Sequence, residues 1–207
     1  MATARTTHTE RSANILARVA PWGFPPAVLQ RFGAFVLLWG MFESRLEICL
    51  WALRNEEVNG VRPWTDKNPI PQWLAELAAE RSQVPAECLQ VLRNAADAGK
   101  NLADYRHALM HGLMIPTGEM PTFIRNPRLF GEKRNRPSHD AHVSENLLDM
   151  AVDSIWTLCQ VVSLTKAACD DPSKWPDLAA IGSKVRRTML QAGELRHLTE
   201  LMNHEKW

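Results

Sequence analysis

The chain has almost no net charge and few cysteines. Its 207 residues include 24 Lys and Arg against 23 Asp and Glu, and 45% are hydrophobic. This balance excludes an intrinsically disordered chain and gives no overall positive field that would attract nucleic acid. No CxxC pair occurs among its four cysteines, Cys49, Cys88, Cys159 and Cys169. We therefore expect reduced core thiols rather than disulfides or zinc, and we expect no cofactor.

Long hydrophobic runs are also absent. One charge-free apolar stretch, residues 32–42, has eleven residues and is followed by Glu43 and Arg45. A bilayer span needs roughly 20 such residues, so we expect no membrane segment and a cytoplasmic protein. Residues 1–20 carry Arg5, Arg11 and Arg18 among Ser, Thr and Ala. A transit peptide has a similar composition, but we favour a flexible N-terminal segment.

The sequence does contain strong helical periodicity. Apolar spacing and Pro, Ser and Gly signals predict four long helices over about 26–55, 85–112, 144–169 and 175–202, with a short helix over 72–81. Apolar runs at 113–115 and 121–124 around 116–119 predict a β-hairpin. We expect an all-α fold, an antiparallel bundle with this small hairpin insertion. We also expect residues 21–207 to form a single helical domain, with the hairpin and a basic loop at about 113–142.

The first long helix is apolar on two sides. Phe35, Trp39, Phe42, Leu46, Cys49 and Leu53 form one stripe, and Leu37, Met41, Ile48 and Trp51 form another. Such a helix is either sandwiched inside its own domain or shared with a second subunit.

The second long helix, predicted over about 85–112, carries the most unusual residue of the chain. We call it the motif helix. One of its stripes is formed by Cys88, Leu92, Ala95, Gly99, Leu102, Arg106, Leu109 and Leu113. Every member except Arg106 is small or apolar, so the spacing predicts an inward guanidinium. An inward Arg usually meets an anion, either a carboxylate of the protein or a phosphate of a ligand. His107 and His111 follow as i, i+4 neighbours, and Gly112 is expected to end the helix as its C′ residue.

The segment from Arg106 to His111, Arg-His-Ala-Leu-Met-His, resembles the signature of the HEPN superfamily: an Arg, a polar residue, mostly apolar residues and a His, commonly followed by Gly. Arg134 to His139 fits the same pattern, but Pro137 and polar flanks predict a loop there. The resemblance implies an all-helical, usually dimeric protein. Many members are metal-independent RNases of toxin, antiviral or RNA-processing systems, and others only bind.

Metal-free RNA cleavage requires a base for the 2′-hydroxyl, an acid for the leaving oxygen and a cation beside the phosphate. Arg106 suits the phosphate and His111 the proton transfer, while His107 supplies a second proton, orients His111 or contacts phosphate. Five helical residues turn by about 140°, so Arg106 and His111 do not share a face. The resemblance implies a composite site in a homodimer.

Each of these residues has an alternative role. Arg106 could pair with Glu43 on the first long helix, and His111 could serve only to cap the helix end. Asp104, His107 and His111 share a face that could bind a metal, but no other His or Cys has matching spacing, so we assign no metal. We class Glu43, Asp104 and Tyr105 as supporting residues.

The densest basic stretch comes just after the predicted hairpin. It contains Arg125, Arg128, Lys133, Arg134 and Arg136 against Glu132 alone. This stretch is either an RNA-backbone contact or a solvated loop.

Together the sequence predicts a homodimeric HEPN-type endoribonuclease, acting as a toxin or defence effector, with an antitoxin or regulatory protein as a further partner. The alternatives are an inactive HEPN module that binds nucleic acid or nucleotide, and a structural helical interaction protein.

Overall fold

The computed structural model describes residues 7–115, 121–124 and 140–204 of the chain. These residues form helices and one small antiparallel sheet, so the all-α class is confirmed. The elements are α1 (His8–Val19), α2 (Pro26–Arg54), α3 (Ile70–Leu77), α4 (Ala86–His111), β1 (Leu113–Ile115), β2 (Thr122–Ile124), β3 (Ala141–His142), α5 (Glu145–Asp170), α6 (Trp175–Ala180) and α7 (Gly182–His204).

The helix boundaries follow local signals. Helix α2 has Pro in its first turn, where a missing N–H is harmless, and it ends at Asn55, which adopts a left-handed conformation with φ of 49°. Ser144 caps α5 as predicted, because its hydroxyl accepts a hydrogen bond from the backbone N–H of Leu147 at 3.2 Å.

Four long helices build the core. Helix α2 packs on α5, α4 packs on α7, and α5 also contacts both α4 and α7. The predicted inward stripe of α2 is buried throughout. On α4 the predicted stripe is buried from Cys88 to Leu102.

The sheet lies directly after α4. Strand β1 pairs antiparallel with β2, with Leu113 opposite Ile124, which confirms the hairpin. Strand β2 also pairs with β3, which the sequence analysis missed because β3 has only two residues. Phe123 of β2 contacts Phe24 edge-to-face, with ring centroids 5.9 Å apart, so the sheet is packed on the segment that precedes α2.

Two segments differ from expectation. The N-terminal segment, expected to be flexible, is helical over His8–Val19, because Thr7 and Glu10 form a capping box. The last predicted helix is divided into α6 and α7. At the division Gly182 approaches α4 so closely that a Cβ there would lie 3.2 Å from Val91 Cγ2.

Among the helices of the described part, only α5 is long and apolar enough to span a membrane by length and composition. Half of its most apolar window is buried inside the protein, which is typical of a core helix in a soluble protein.

Candidate active site at the end of the motif helix

Near the end of α4 the structure buries Tyr105, whereas the spacing predicts that Arg106 is the inward residue. Tyr105 is 1% exposed, whereas Arg106 is partly exposed and Leu113 is 47% exposed. The buried stripe therefore passes from Leu102 to Tyr105 and Leu109, and Arg106 lies at its edge. Arg106 is thus only partly buried, and the tyrosine ring fills the core position with less loss of hydration than a guanidinium.

Tyr105 connects α4 to the sheet. Its hydroxyl donates a hydrogen bond to the backbone carbonyl of His142 at 2.8 Å, and its ring lies 6.1 Å from that of Phe35. Burial raises the pKa of Tyr105, so the phenol stays neutral and serves as an anchor rather than as a proton donor. The supporting residue Tyr105 therefore fixes the end of α4 relative to β3.

His142 is a residue of this region that the sequence analysis missed. Its Nδ1 lies 3.1 Å from the hydroxyl of Thr122 on the neighbouring strand. Burial lowers the pKa of His142, so the folded protein favours the neutral ring. Stability from this group is complete above the ordinary histidine pKa and is lost as the pH falls below it. No spacing signal in the sequence relates His142 to α4, because strand pairing and one tyrosine hydroxyl bring them together.

Gly112 ends α4, but not for the expected reason. The expected C′ glycine is left-handed, whereas Gly112 has an extended backbone with φ of −79°. The need for glycine comes from close packing instead. A Cβ here would lie 2.5 Å from the carbonyl oxygen of Ala108 and 2.9 Å from Cβ of Phe123. Gly112 thus allows β2 to approach the last turn of α4.

Replacing Gly112 with alanine should therefore destabilise the protein by about 2 kcal/mol, the cost of forcing extra volume into a packed contact. Gly193→Ala in α7 is the matched control. A Cβ at Gly193 would meet only Asn101 Nδ2, at 3.9 Å, and alanine favours a helix interior. Urea unfolding of both variants measures the difference. An unchanged midpoint for Gly112→Ala would contradict the role given to this contact.

The two motif histidines are in contact. The ring centroids of His107 and His111 lie 4.5 Å apart at an interplanar angle of 50°. His111 is exposed, while His107 and Asp104 are half-buried. Within the described residues no group of three or more His, Cys, Asp or Glu side chains is placed to hold a metal. The face formed by Asp104, His107 and His111 is therefore not arranged as a metal site.

Arg106 is not used in an internal ion pair of the described part. Glu43, its candidate partner, accepts a hydrogen bond from the indole Nε1 of Trp39 at 2.6 Å. No ion pair or hydrogen bond joins Arg106 to any side chain in the ranges 7–115, 121–124 and 140–204. A partly buried guanidinium in this condition is available to an anion from outside.

The end of α4 therefore carries a partly buried guanidinium and two contacting imidazoles, of which His111 is exposed, on a helix whose position is fixed by Tyr105 and Gly112. Such a set can bind an oxyanion and transfer protons. The predicted RNA-binding residues lie outside the described part of the chain: Arg125, Arg128, Lys133, Arg134 and Arg136. In comparisons with known proteins, the chain matches no protein-family model, no curated protein and no solved structure.

Proposed function

We propose that the chain is a metal-independent endoribonuclease of HEPN type. The observation that carries the proposal is the state of Arg106. It is partly buried, has no carboxylate partner in the described part, and directly precedes His107, whose ring contacts that of His111. An ion pair with Glu43 was the simplest structural reason for this arginine, and Glu43 is bonded to Trp39 instead.

In the proposed reaction the motif acts on one phosphodiester. Arg106 binds two phosphate oxygens through its planar fork. A histidine takes the proton of the 2′-hydroxyl, and the O2′–P bond forms while the P–O5′ bond breaks. In the second proton transfer, the leaving 5′-oxygen receives a proton. His111 performs the proton transfer, and His107 orients it or holds the second proton. The products are a 2′,3′-cyclic phosphate and a 5′-hydroxyl.

The proposed enzyme is a homodimer with a composite site. Arg106 and His111 are separated by about 140° around α4, so one copy does not aim both at one phosphate. Two copies of the motif across a two-fold axis supply the missing group. The second apolar face of α2 supports a dimer in part. Leu37 and Ile48 are 77% and 46% exposed, whereas Met41 and Trp51 are partly buried.

For the helices we propose an antiparallel bundle. Contacts at both ends of α2 and α4 support opposite directions for this pair. Phe35, in the first half of α2, meets Tyr105 near the end of α4, and Gln83, just before α4, bonds the carbonyl of Leu53 near the end of α2. Helices α4 and α5 are related in the same way, because Cys88 bonds the carbonyl of Trp175 and Tyr105 bonds that of His142.

The proposed setting is a cytoplasmic toxin or antiviral effector whose activity a partner protein restrains.

RNA would be held by the basic residues Arg125, Arg128, Lys133, Arg134 and Arg136. We expect Arg134→Ala to weaken RNA binding and to reduce the steepness of its salt dependence, since each neutralised phosphate releases counterions. Filter binding at several salt concentrations measures both. An unchanged salt slope would assign Arg134 to a solvated loop.

The chemical class of the products tests the function directly. RNA incubated with the protein should yield fragments that end in a 2′,3′-cyclic or 3′-phosphate, and EDTA should leave the rate unchanged. Mass spectrometry of the fragments identifies the ends. Loss of activity in EDTA, restored by a transition metal, would contradict the metal-free mechanism. RNA binding without cleavage would instead favour the inactive binding module.

A further inference from the structure

A cavity that the proposed active site does not use lies between α2 and α5. It has a volume of about 210 Å³, and its lining combines two cationic side chains, one hydroxyl and two aliphatic side chains: Arg45, Ile48, Val162, Ser163 and Lys166. No carboxylate of the described residues lines it. Since one water occupies about 30 Å³ of liquid, the cavity has room for several waters or for one small anion.

The packing of α2 on α5 brings Arg45 to this cavity. Arg31 donates a hydrogen bond to Asp149 at 2.8 Å, and Arg45 donates one to the hydroxyl of Ser163 at 3.3 Å. Both contacts join residues 118 positions apart, so they fix one register between the two helices. The partner of Arg45 is a neutral hydroxyl, which does not balance the charge of the guanidinium.

No carboxylate pairs with Arg45 in the part of the chain that the structure describes. Glu43 and Glu47 lie two residues before and after it on α2, but both carboxylates are used elsewhere. Glu43 accepts a hydrogen bond from Trp39, and Glu47 accepts one from the hydroxyl of Thr65 at 2.7 Å. The guanidinium therefore remains available to an anion that enters the cavity.

Lys166 adds a second positive charge. Its ammonium forms an ion pair with Asp170, one turn further along α5. Such surface pairs contribute little to stability, so the ammonium can exchange Asp170 for a stronger partner. A phosphate monoester carries about −1.5 to −2 charges at pH 7 and contacts both cations of the cavity at once. It therefore also removes the repulsion between them.

A second cavity continues from the first along α2. It has a volume of about 480 Å³, shares Ile48 and Lys166 with the first, and is further lined by Trp51, Ala52, Asn55, Glu56 and Glu57. This volume is within the range of about 300–1,000 Å³ that is typical of small-molecule sites. The indole Nε1 of Trp51 donates a hydrogen bond to the hydroxyl of Thr65 at 2.9 Å, which holds the ring in place as an apolar wall.

The end of the second cavity beyond α2 accepts hydrogen bonds. Glu56 is already bonded to Arg54 and to the backbone N–H of Trp64. Glu57 is exposed and has no hydrogen bond or ion pair within the described residues. An ionised carboxylate only accepts hydrogen bonds, so Glu57 selects a ligand with N–H donors. The two cavities thus match a molecule with a phosphate at one end and an amino group at the other.

We propose that the two cavities form one binding site for a purine nucleoside 5′-monophosphate whose base carries an amino group. The phosphate lies between Arg45 and Lys166. The base lies against Trp51, which favours a flat ring over an alkyl chain, and its amino group donates to Glu57. From Arg45 to Ala52 the helix rises by about 10 Å, a length that one nucleotide spans.

This site is separate from the motif. Phe35, in the first half of α2, contacts Tyr105 next to Arg106, with ring centroids 6.1 Å apart. The cavities are lined by the second half of α2, from Arg45 onward. A nucleotide bound there leaves the motif open, so the inference does not rest on the proposed ribonuclease activity.

Calorimetric titration of the full-length protein with AMP and GMP tests the site. At least one of them should bind with one molecule per chain, and IMP, whose base has no amino group, should bind more weakly. Glu57→Ala should remove this preference for the amino group. Adenosine and guanosine, which lack the phosphate, should bind more weakly than their monophosphates.

Arg45→Gln should weaken nucleotide binding by about tenfold or more, because charge-assisted hydrogen bonds are lost. Lys166→Gln should weaken it in the same direction. Arg93→Gln is the matched control, since Arg93 is an exposed helical arginine on α4 whose ion pair with Glu80 is long, at 3.8 Å. We expect wild-type affinity for this variant.

Four results would overturn the inference. The first is that neither AMP nor GMP binds at millimolar concentration, and the second is that Arg45→Gln binds as tightly as the wild type. Loss of binding in Arg106→Ala alone would place the nucleotide in the proposed active site instead. Binding of phosphoethanolamine as tight as that of the nucleotides would assign the cavities to an aminoalkyl phosphate. RNA cleavage by a protein that binds no nucleotide would remove this site and leave the proposed function intact, whereas nucleotide binding without cleavage would do the reverse.

Discussion

His111→Ala should abolish RNA cleavage while leaving RNA affinity within about twofold of the wild-type value. General acid–base catalysis contributes about 10²–10⁴-fold to a rate, and a group that acts only in the transition state lowers turnover without weakening substrate binding. His111 is exposed at the last position of α4, so its removal leaves the buried residues of this turn, Ala108 and Leu109, in place. Single-turnover cleavage and equilibrium RNA binding separate the two effects.

Met110→Ala is the matched control for this loss. Met110 precedes His111 on the same turn and is 43% exposed, so its truncation tests whether any change at this end of α4 impairs cleavage. We expect nearly wild-type turnover for this variant.

Arg106→Ala should also lose cleavage, with at most a modest loss of affinity, since its guanidinium faces charge that develops in the transition state. Wild-type turnover in either His111→Ala or Arg106→Ala would refute the proposed mechanism.

The helices could be predicted from the sequence because their apolar periodicity is strong and their ends carry local signals. Ser144 caps α5 through Leu147, as a serine before an apolar run predicts. The capping box of Thr7 and Glu10 is an equally local signal, which the polar composition of the N-terminal segment obscured. The division between α6 and α7 was not predictable, because it reflects the close approach of Gly182 to Val91 across the core.

The candidate site was predictable as a set of residues but not in its orientation. Periodicity placed Arg106 inward, because Leu102 and Leu109 fit the same stripe. A shift of one position turns Tyr105 inward instead, and that shift depends on a hydrogen bond to His142, which lies 37 residues away in sequence. The hydrogen bond between Tyr105 and His142 forms only when the sheet that contains His142 is folded. The same reasoning made Glu43 a candidate partner for Arg106. In the structure Glu43 instead accepts a hydrogen bond from Trp39, which lies on the same helix as Glu43.

The composite nature of the site leads to a prediction with a qualitative outcome. His111→Ala and Arg106→Ala are each expected to be inactive as homodimers. When the two are co-expressed, random assembly makes about half of the dimers mixed. A mixed dimer keeps Arg106 in one chain and His111 in the other. If one phosphate is bound between the two motif helices, this pair restores one complete set of groups across the interface, and a measurable fraction of wild-type activity returns.

A site contained in one chain behaves differently in the same experiment. Each chain of the mixed dimer then lacks one of its own groups, so no activity returns at any ratio of the two variants. The control is a mixed dimer of wild-type protein with a chain that carries both Arg106→Ala and His111→Ala. That mixed dimer keeps one intact motif, so it should be active with a site contained in one chain and impaired with a composite one. About half of the wild-type activity in that mixed dimer, with none from the first mixture, would refute the composite site, as would a monomer by light scattering that still cleaves RNA.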